Sequence, residues 1–123
     1  MFEEFIVPEL EDLCTAWTNV FYHLDGPGAL HHLDRVLQID GIAGIQWVPG
    51  SGQPHGWQVW RDLYVKVAEA GKKIWVPCGA GDVEDVIRTI PPERLIISGG
   101  TKSRDDAEAL LRSAVKWTAQ YWP

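Results

Sequence analysis

The sequence has no long hydrophobic run and few cysteines, and each shortage excludes a class of protein. No apolar run approaches the roughly 18 residues that a membrane-spanning helix needs. Residues 1–4 have neither the basic start nor the apolar stretch of a signal peptide. The two cysteines, Cys14 and Cys78, lie far apart and outside any metal-ligand spacing. We therefore expect a cytoplasmic protein with reduced thiols and no membrane partner.

Positive charge is also scarce. The chain has 11 Lys and Arg against 17 Asp and Glu, and its formal net charge is −6. Because nucleic acids bind basic surfaces, we expect no nucleic-acid partner, but a small molecule or another protein.

Tryptophan is unusually abundant, with seven residues in 123. Rings of this size usually enter a core or an interface, and a short chain has limited interior for them.

Strand and helix patterns alternate along the chain. An N-terminal helical pattern, interrupted by Pro8, comes first, and the strand pattern at 41–48 is so apolar that we expect helices on both sides of it. Asp82 and Ser103 are predicted helix caps. The predicted strands cover 19–24, 41–48, 73–78 and 94–98. The later helices cover about 27–37, 57–70, 83–90 and 104 onward. In the last helix the residues predicted to point inward are Ala107, Leu110, Leu111, Ala114 and Thr118.

This alternation predicts one α/β domain over 1–123, with a parallel sheet and right-handed crossovers. The pattern alone leaves open a doubly wound sheet and part of a closed barrel. No Gly-rich dinucleotide fingerprint follows the first strand, and no phosphate loop is present. The nearest approach, at 99–103, is interpreted as a tight turn followed by a helix cap.

The first predicted strand ends in His23 and Asp25, at the edge of a parallel sheet where ligands bind. This position makes both residues candidates for acid–base catalysis or metal binding. Each has a structural alternative. His23 could be a hydrogen-bonded structural residue, and Asp25, just before Gly-Pro, could cap the next helix.

Four further residues are candidates for substrate binding at the same rim. Gln46 and Trp47 end the second strand, His55 lies in the long breaker-rich loop that follows, and Cys78 ends the third strand. Trp47 could instead belong to the core or an interface. Cys78 could be a buried inert thiol, because the nearby Asp82 supplies no charge that would stabilise a thiolate.

Two segments form longer motifs. They are Tyr22-His23-Leu24-Asp25-Gly26-Pro27-Gly28-Ala29-Leu30, followed by His32-Leu33-Asp34, and Ile45-Gln46-Trp47-Val48-Pro49-Gly50. Together they resemble the C-terminal portion of the uroporphyrinogen decarboxylase superfamily, which includes the cobalamin-dependent methylcobamide:coenzyme M methyltransferases. The resemblance covers essentially the whole chain. It implies the C-terminal half of a (β/α)8 TIM barrel, made of four strand–helix units and the preceding helix.

The resemblance also implies a chemistry. In the methyltransferases a His-x-Cys pair and a later cysteine hold zinc; here His23 matches the histidine, Asp25 replaces the first cysteine and glycine stands near the second. In the decarboxylases much of the substrate-binding set lies in the N-terminal half, and Ser98-Gly99-Gly100 replaces their last histidine. The implied protein is a divergent or partial lyase or methyltransferase that binds a small anionic substrate, or a zinc ion on His23 and Asp25.

A half barrel leaves part of its sheet uncovered. Its two strand edges and its inner face would be bare, which favours aggregation. We expect a homodimer that completes the barrel or packs face to face, or a partner that supplies the missing half, unless the sheet is open with helices on both sides. The alternative function is a non-catalytic fold fragment or binding module.

Overall fold

Four parallel strands form one sheet in the computed structural model, which describes the whole chain, Met1–Pro123. Short segments of π- or 3-10 helix precede three of the α-helices and the last strand. The strands are β1 (Val20–Asp25), β2 (Ile42–Val48), β3 (Lys73–Pro77) and β4 (Leu95–Ser98). The helices are α1 (Val7–Ala16), α2 (Leu33–Leu37), α3 (Trp57–Glu69), α4 (Val83–Thr89) and α5 (Arg104–Tyr121).

The strands lie side by side in chain order, β1-β2-β3-β4, and every pair is parallel. Each crossover therefore moves one strand further in the same direction. A doubly wound sheet would reverse this order at a switch point. The predicted α/β fold is confirmed, and the strand order is that of half a TIM barrel.

One face of the sheet is buried under the helices. Because successive strand residues point to opposite faces, alternate side chains form the core. Leu24 of β1 pairs with Trp47 of β2, and both are almost fully buried. Ile45 pairs in the same way with Ile74 of β3. Burying aliphatic side chains of this size stabilises the fold by about 1.5–3 kcal/mol each.

The other face of the sheet is open. Its residues are neighbours across the strands, since His23 pairs with Gln46, Gln46 with Trp75, and Trp75 with Ile96. Trp75 is 36% exposed and Ile96 is 40% exposed. The expectation that β2 has helices on both sides is therefore wrong. Its apolar run reflects the helices on one face and the small residue Gly44 on the other.

The helices form a single layer in chain order, as their side-chain contacts show. Arg35 of α2 pairs with Glu11 of α1 at 3.4 Å, and Lys66 of α3 pairs with Asp34 of α2 at 2.7 Å. Further along, the Trp57 indole of α3 donates to Asp85 of α4 at 2.6 Å, and the Tyr121 hydroxyl of α5 donates to Glu84 of α4 at 2.6 Å. Thus α1 and α5 are the two ends of the layer.

The last helix differs in part from its prediction. Ser103 caps α5 as expected, because its hydroxyl oxygen accepts from the Asp106 backbone N–H at 3.1 Å. Leu111, predicted to point inward, is 67% exposed. The reason is that α5 has a neighbouring helix on one side only. Asp82 stands at the N-cap position of α4 as expected, but its carboxylate makes no capping bond and accepts from the Gln58 side chain instead.

Gly44 is required by its neighbours on the open face. A Cβ at this position would come within 2.5 Å of the Phe21 ring and 2.8 Å of the Lys73 carbonyl oxygen. We predict that Gly44→Ala destabilises the protein by about 1–3 kcal/mol, because the backbone oxygen cannot move aside. Urea unfolding measures the effect. Gly81→Ala is the control, since a Cβ there meets nothing within 4 Å; equal stabilities of the two variants would contradict the packing.

The Trp57–Asp85 hydrogen bond makes stability depend on pH. Hydrogen bonds from the buried Trp57 indole and from Arg88 hold the pKa of Asp85 below its ordinary value. Its contribution to stability is therefore present above the pKa of an unfolded Asp, about 3.9, and is lost as the pH falls through the folded-state pKa.

We predict that Asp85→Ala costs about 1–2 kcal/mol at neutral pH, because it leaves the Trp57 N–H unpaired. The difference from the unmodified chain should shrink below about pH 4. Denaturant unfolding across pH 2–7 measures it, with the exposed Asp62→Ala as the control. A difference that stays constant over this pH range would refute the role of Asp85.

Candidate functional site

His23 lies on the open face near the carboxyl end of β1, and its neighbour on β2 holds the ring. The His23 Nδ1 and Gln46 Oε1 atoms are 2.8 Å apart. Since an amide oxygen only accepts, Nδ1 carries the proton. The other ring nitrogen, Nε2, is left with its lone pair and can accept a proton, or donate one when the ring is charged.

Asp25 is two residues further along β1 and therefore on the same face. Its Oδ2 atom is 4.0 Å from His23 Nε2, and the two side chains are 55% (His23) and 64% (Asp25) exposed. The carboxylate does not cap the following turn. The residue at that cap is Gly26, at φ 76, and no side chain bonds to the turn. Asp25 is thus free to face the imidazole.

Trp75 and Ser98 extend this row across the sheet. The Trp75 indole N–H donates to the Ser98 hydroxyl at 2.6 Å. Sequence reasoning missed both residues as site candidates. The signal was the alternation in β3, where Trp75 stands between the core residues Ile74 and Val76 and must therefore point the other way.

Two of the predicted rim residues point to the helix face instead. Trp47 is only 1% exposed, and its ring packs edge-on against Trp60 with centroids 4.9 Å apart. Cys78 follows β3 and lines an apolar cavity of about 270 Å³ with Val83, Ile97 and Leu110. The predicted common rim of His23, Trp47 and Cys78 does not form, because strand alternation puts the last two behind the sheet.

The remaining candidate, His55, is exposed in the loop between β2 and α3. The start of this loop does come near the site, since a Cβ at Gly50 would lie 4.0 Å from the Asp25 carboxylate. The structure thus brings together His23, Asp25 and Gln46, and it leaves His55 on the surface.

The zinc site implied by the resemblance does not fit this chain. A structural or catalytic zinc ion takes three or four protein ligands. His23 and Asp25 supply two, and no group of three or more His, Cys, Asp and Glu residues that could hold a metal ion is present. No step of chemistry is therefore assigned to a metal.

The fold and the strand-end residues define a half-barrel-like α/β unit with a polar row on its open face. Comparison with protein-family models, with curated proteins and with solved structures finds no match to the chain. None of its helices is both long enough and apolar enough to cross a membrane.

Partial burial predicts a weakly reactive Cys78 thiol. Desolvation, followed by the nearby Asp82 carboxylate, raises the pKa of Cys78 to about 11. Since the thiolate is the nucleophile, we predict that at pH 8 iodoacetamide alkylates Cys78 on the order of 100-fold more slowly than a free cysteine. Mass spectrometry of a Cys14→Ser variant measures the rate. A rate at pH 8 equal to that of an unfolded control would refute the prediction.

Proposed function

We propose that the chain is a divergent member of the uroporphyrinogen decarboxylase superfamily, acting in the cytoplasm, whose open face binds a small anionic molecule beside His23. The supporting observation is the hydrogen bond that fixes the His23 ring to Gln46 at the carboxyl edge of the sheet. Loops and strand ends converge at this edge in parallel α/β proteins, and ligands bind there. The two motifs that carry the family resemblance include these same residues.

The chemistry of the row suits a carboxylate ligand. The His23 ring in its charged form and the Gln46 amide N–H groups are hydrogen-bond donors on neighbouring strands of one face. Asp25 Oδ2 lies 4.0 Å from His23 Nε2 on the same face. In a decarboxylation the electron pair of the broken C–C bond stays on carbon as CO₂ leaves. His23 would supply the proton that this carbon takes up, and regain it from solvent.

Catalysis at this site requires that water be excluded, which the open face does not do alone. We propose that the face is covered by a second copy or by a partner that supplies four further strand–helix units. The alternative function is a non-catalytic binding module. It is favoured by the large apolar side chains, Trp75 and Ile96, on the same face, since apolar surface of this kind mediates protein contacts.

The two substrates for which the superfamily branches are named, uroporphyrinogen and coenzyme M, are the direct probes. We expect calorimetric titration to show binding of one of them, with affinity reduced about tenfold or more by His23→Asn. The matched control is His55→Asn, on the exposed loop, which should bind as the unmodified chain does.

CO₂ release, for uroporphyrinogen, separates catalysis from binding alone. Binding without turnover would favour the non-catalytic module. If neither probe binds, or if His23→Asn and His55→Asn bind equally, the proposed site is refuted.

A further inference from the structure

We infer that the cover over the open face is a second copy of this chain, with β4 of each copy beside β1 of the other, an arrangement that rests on the proposed half barrel. Both strands are sheet edges with one unpaired side. All four strands are parallel, so a 180° rotation about an axis parallel to them gives a second copy whose strands run in the same direction. The rotation places β4 of each copy beside β1 of the other. The ring of strands is then closed, so the assembly is a dimer and does not grow further.

The inner face suits the interior of such a ring. In an eight-stranded barrel the interior is filled by side chains. Phe21, Trp75 and Ile96 of each copy provide large apolar groups for it, and Gly44 provides the space over which the Phe21 ring lies. The polar groups of the row are at the carboxyl edge, which becomes the mouth of the barrel.

Exposed apolar side chains lie on the two end helices or directly after them. On the β1 side Leu13 is 48% exposed and Trp17 is 69% exposed. On the β4 side Leu111 is 67% exposed and Val115 is 72% exposed. Leu111 and Val115 are four residues apart and so share one helix face. In the closed ring α5 of one copy meets α1 of the other, and these residues are covered.

The charges of α1 and of the later part of α5 are opposite, which favours a second copy. Residues 1–16 contain five acidic residues and no Lys or Arg. In α5 the acidic residues Asp105, Asp106 and Glu108 lie near the start with Arg104, and the charged residues of the later part are Arg112 and Lys116. Asp12 and Lys116 each lie about one turn before the end of their helix. Neither is in an ion pair within the chain. With a net charge of −6, two copies would otherwise repel each other.

The arrangement completes the candidate site. An axis parallel to the strands places both His23 side chains at the same end of the barrel. Each polar row then faces the other copy across the mouth, where water access is reduced. The site is therefore incomplete in a single copy.

Light scattering after size exclusion tests the inference. At micromolar concentration we expect twice the 13.8 kDa mass of one chain. Lys116→Glu places like charges at both seams and should raise the dimer dissociation constant about tenfold or more. Asp12→Lys should do the same, and the double variant should recover the original value. Glu69→Lys, an exposed carboxylate on α3 in the middle of the layer, is the control and should have no effect.

A monomer at all concentrations would overturn the inference. A dimer whose dissociation constant is unchanged by both charge reversals would also overturn it. So would a double variant in which the losses of affinity of the two single variants add. These outcomes are separate from the proposed function. A monomer that still binds uroporphyrinogen or coenzyme M through His23 refutes only the second copy, and a charge-dependent dimer that binds neither probe refutes only the ligand site.

Discussion

The structure depends on one constraint, the alternation of side chains along strands whose crossovers all run in the same direction. Since every crossover steps forward, all helices lie on one face of the sheet. One set of strand residues, such as Ile45 and Ile74, is buried beneath them. The other set, which includes His23 and Trp75, has no helix over it. The core and the candidate site are therefore two sides of the same four strands.

This constraint explains why polar and apolar side chains share one row of the open face. His23 and Gln46 meet because parallel pairing puts them opposite each other, and their hydrogen bond needs no other element. Trp75 and Ile96 continue the same row. A lone copy leaves these rings in water, which costs about 25 cal/mol for each Å² of apolar surface left exposed. Covering the face thus stabilises the protein and shields the imidazole in one step.

Much of the fold could be predicted from the sequence, because apolar periodicity distinguishes strands from helices and breakers mark their ends. The face of the sheet to which each strand-end side chain points was harder to predict. Their positions at strand ends predict that Trp47 and Cys78 lie at the rim, but an end position specifies an edge of the sheet and not a face. Alternation from Ile45 and Val76, both core residues, assigns them to the helix side. The exposed flank of α5 needed the helix order, which depends on contacts between distant segments such as Tyr121 and Glu84.

The most direct test of the one-sided sheet is the access of solvent to individual tryptophans. A soluble paramagnetic probe broadens the NMR signals of exposed side chains, and it is added to the Lys116→Glu variant under conditions in which light scattering gives the mass of one chain. We expect the ring protons of Trp75 to broaden strongly and those of Trp47 and Trp57 to stay sharp. Equal protection of Trp75 and Trp47 in the monomer would show that a part of the chain covers both faces, and would contradict the account.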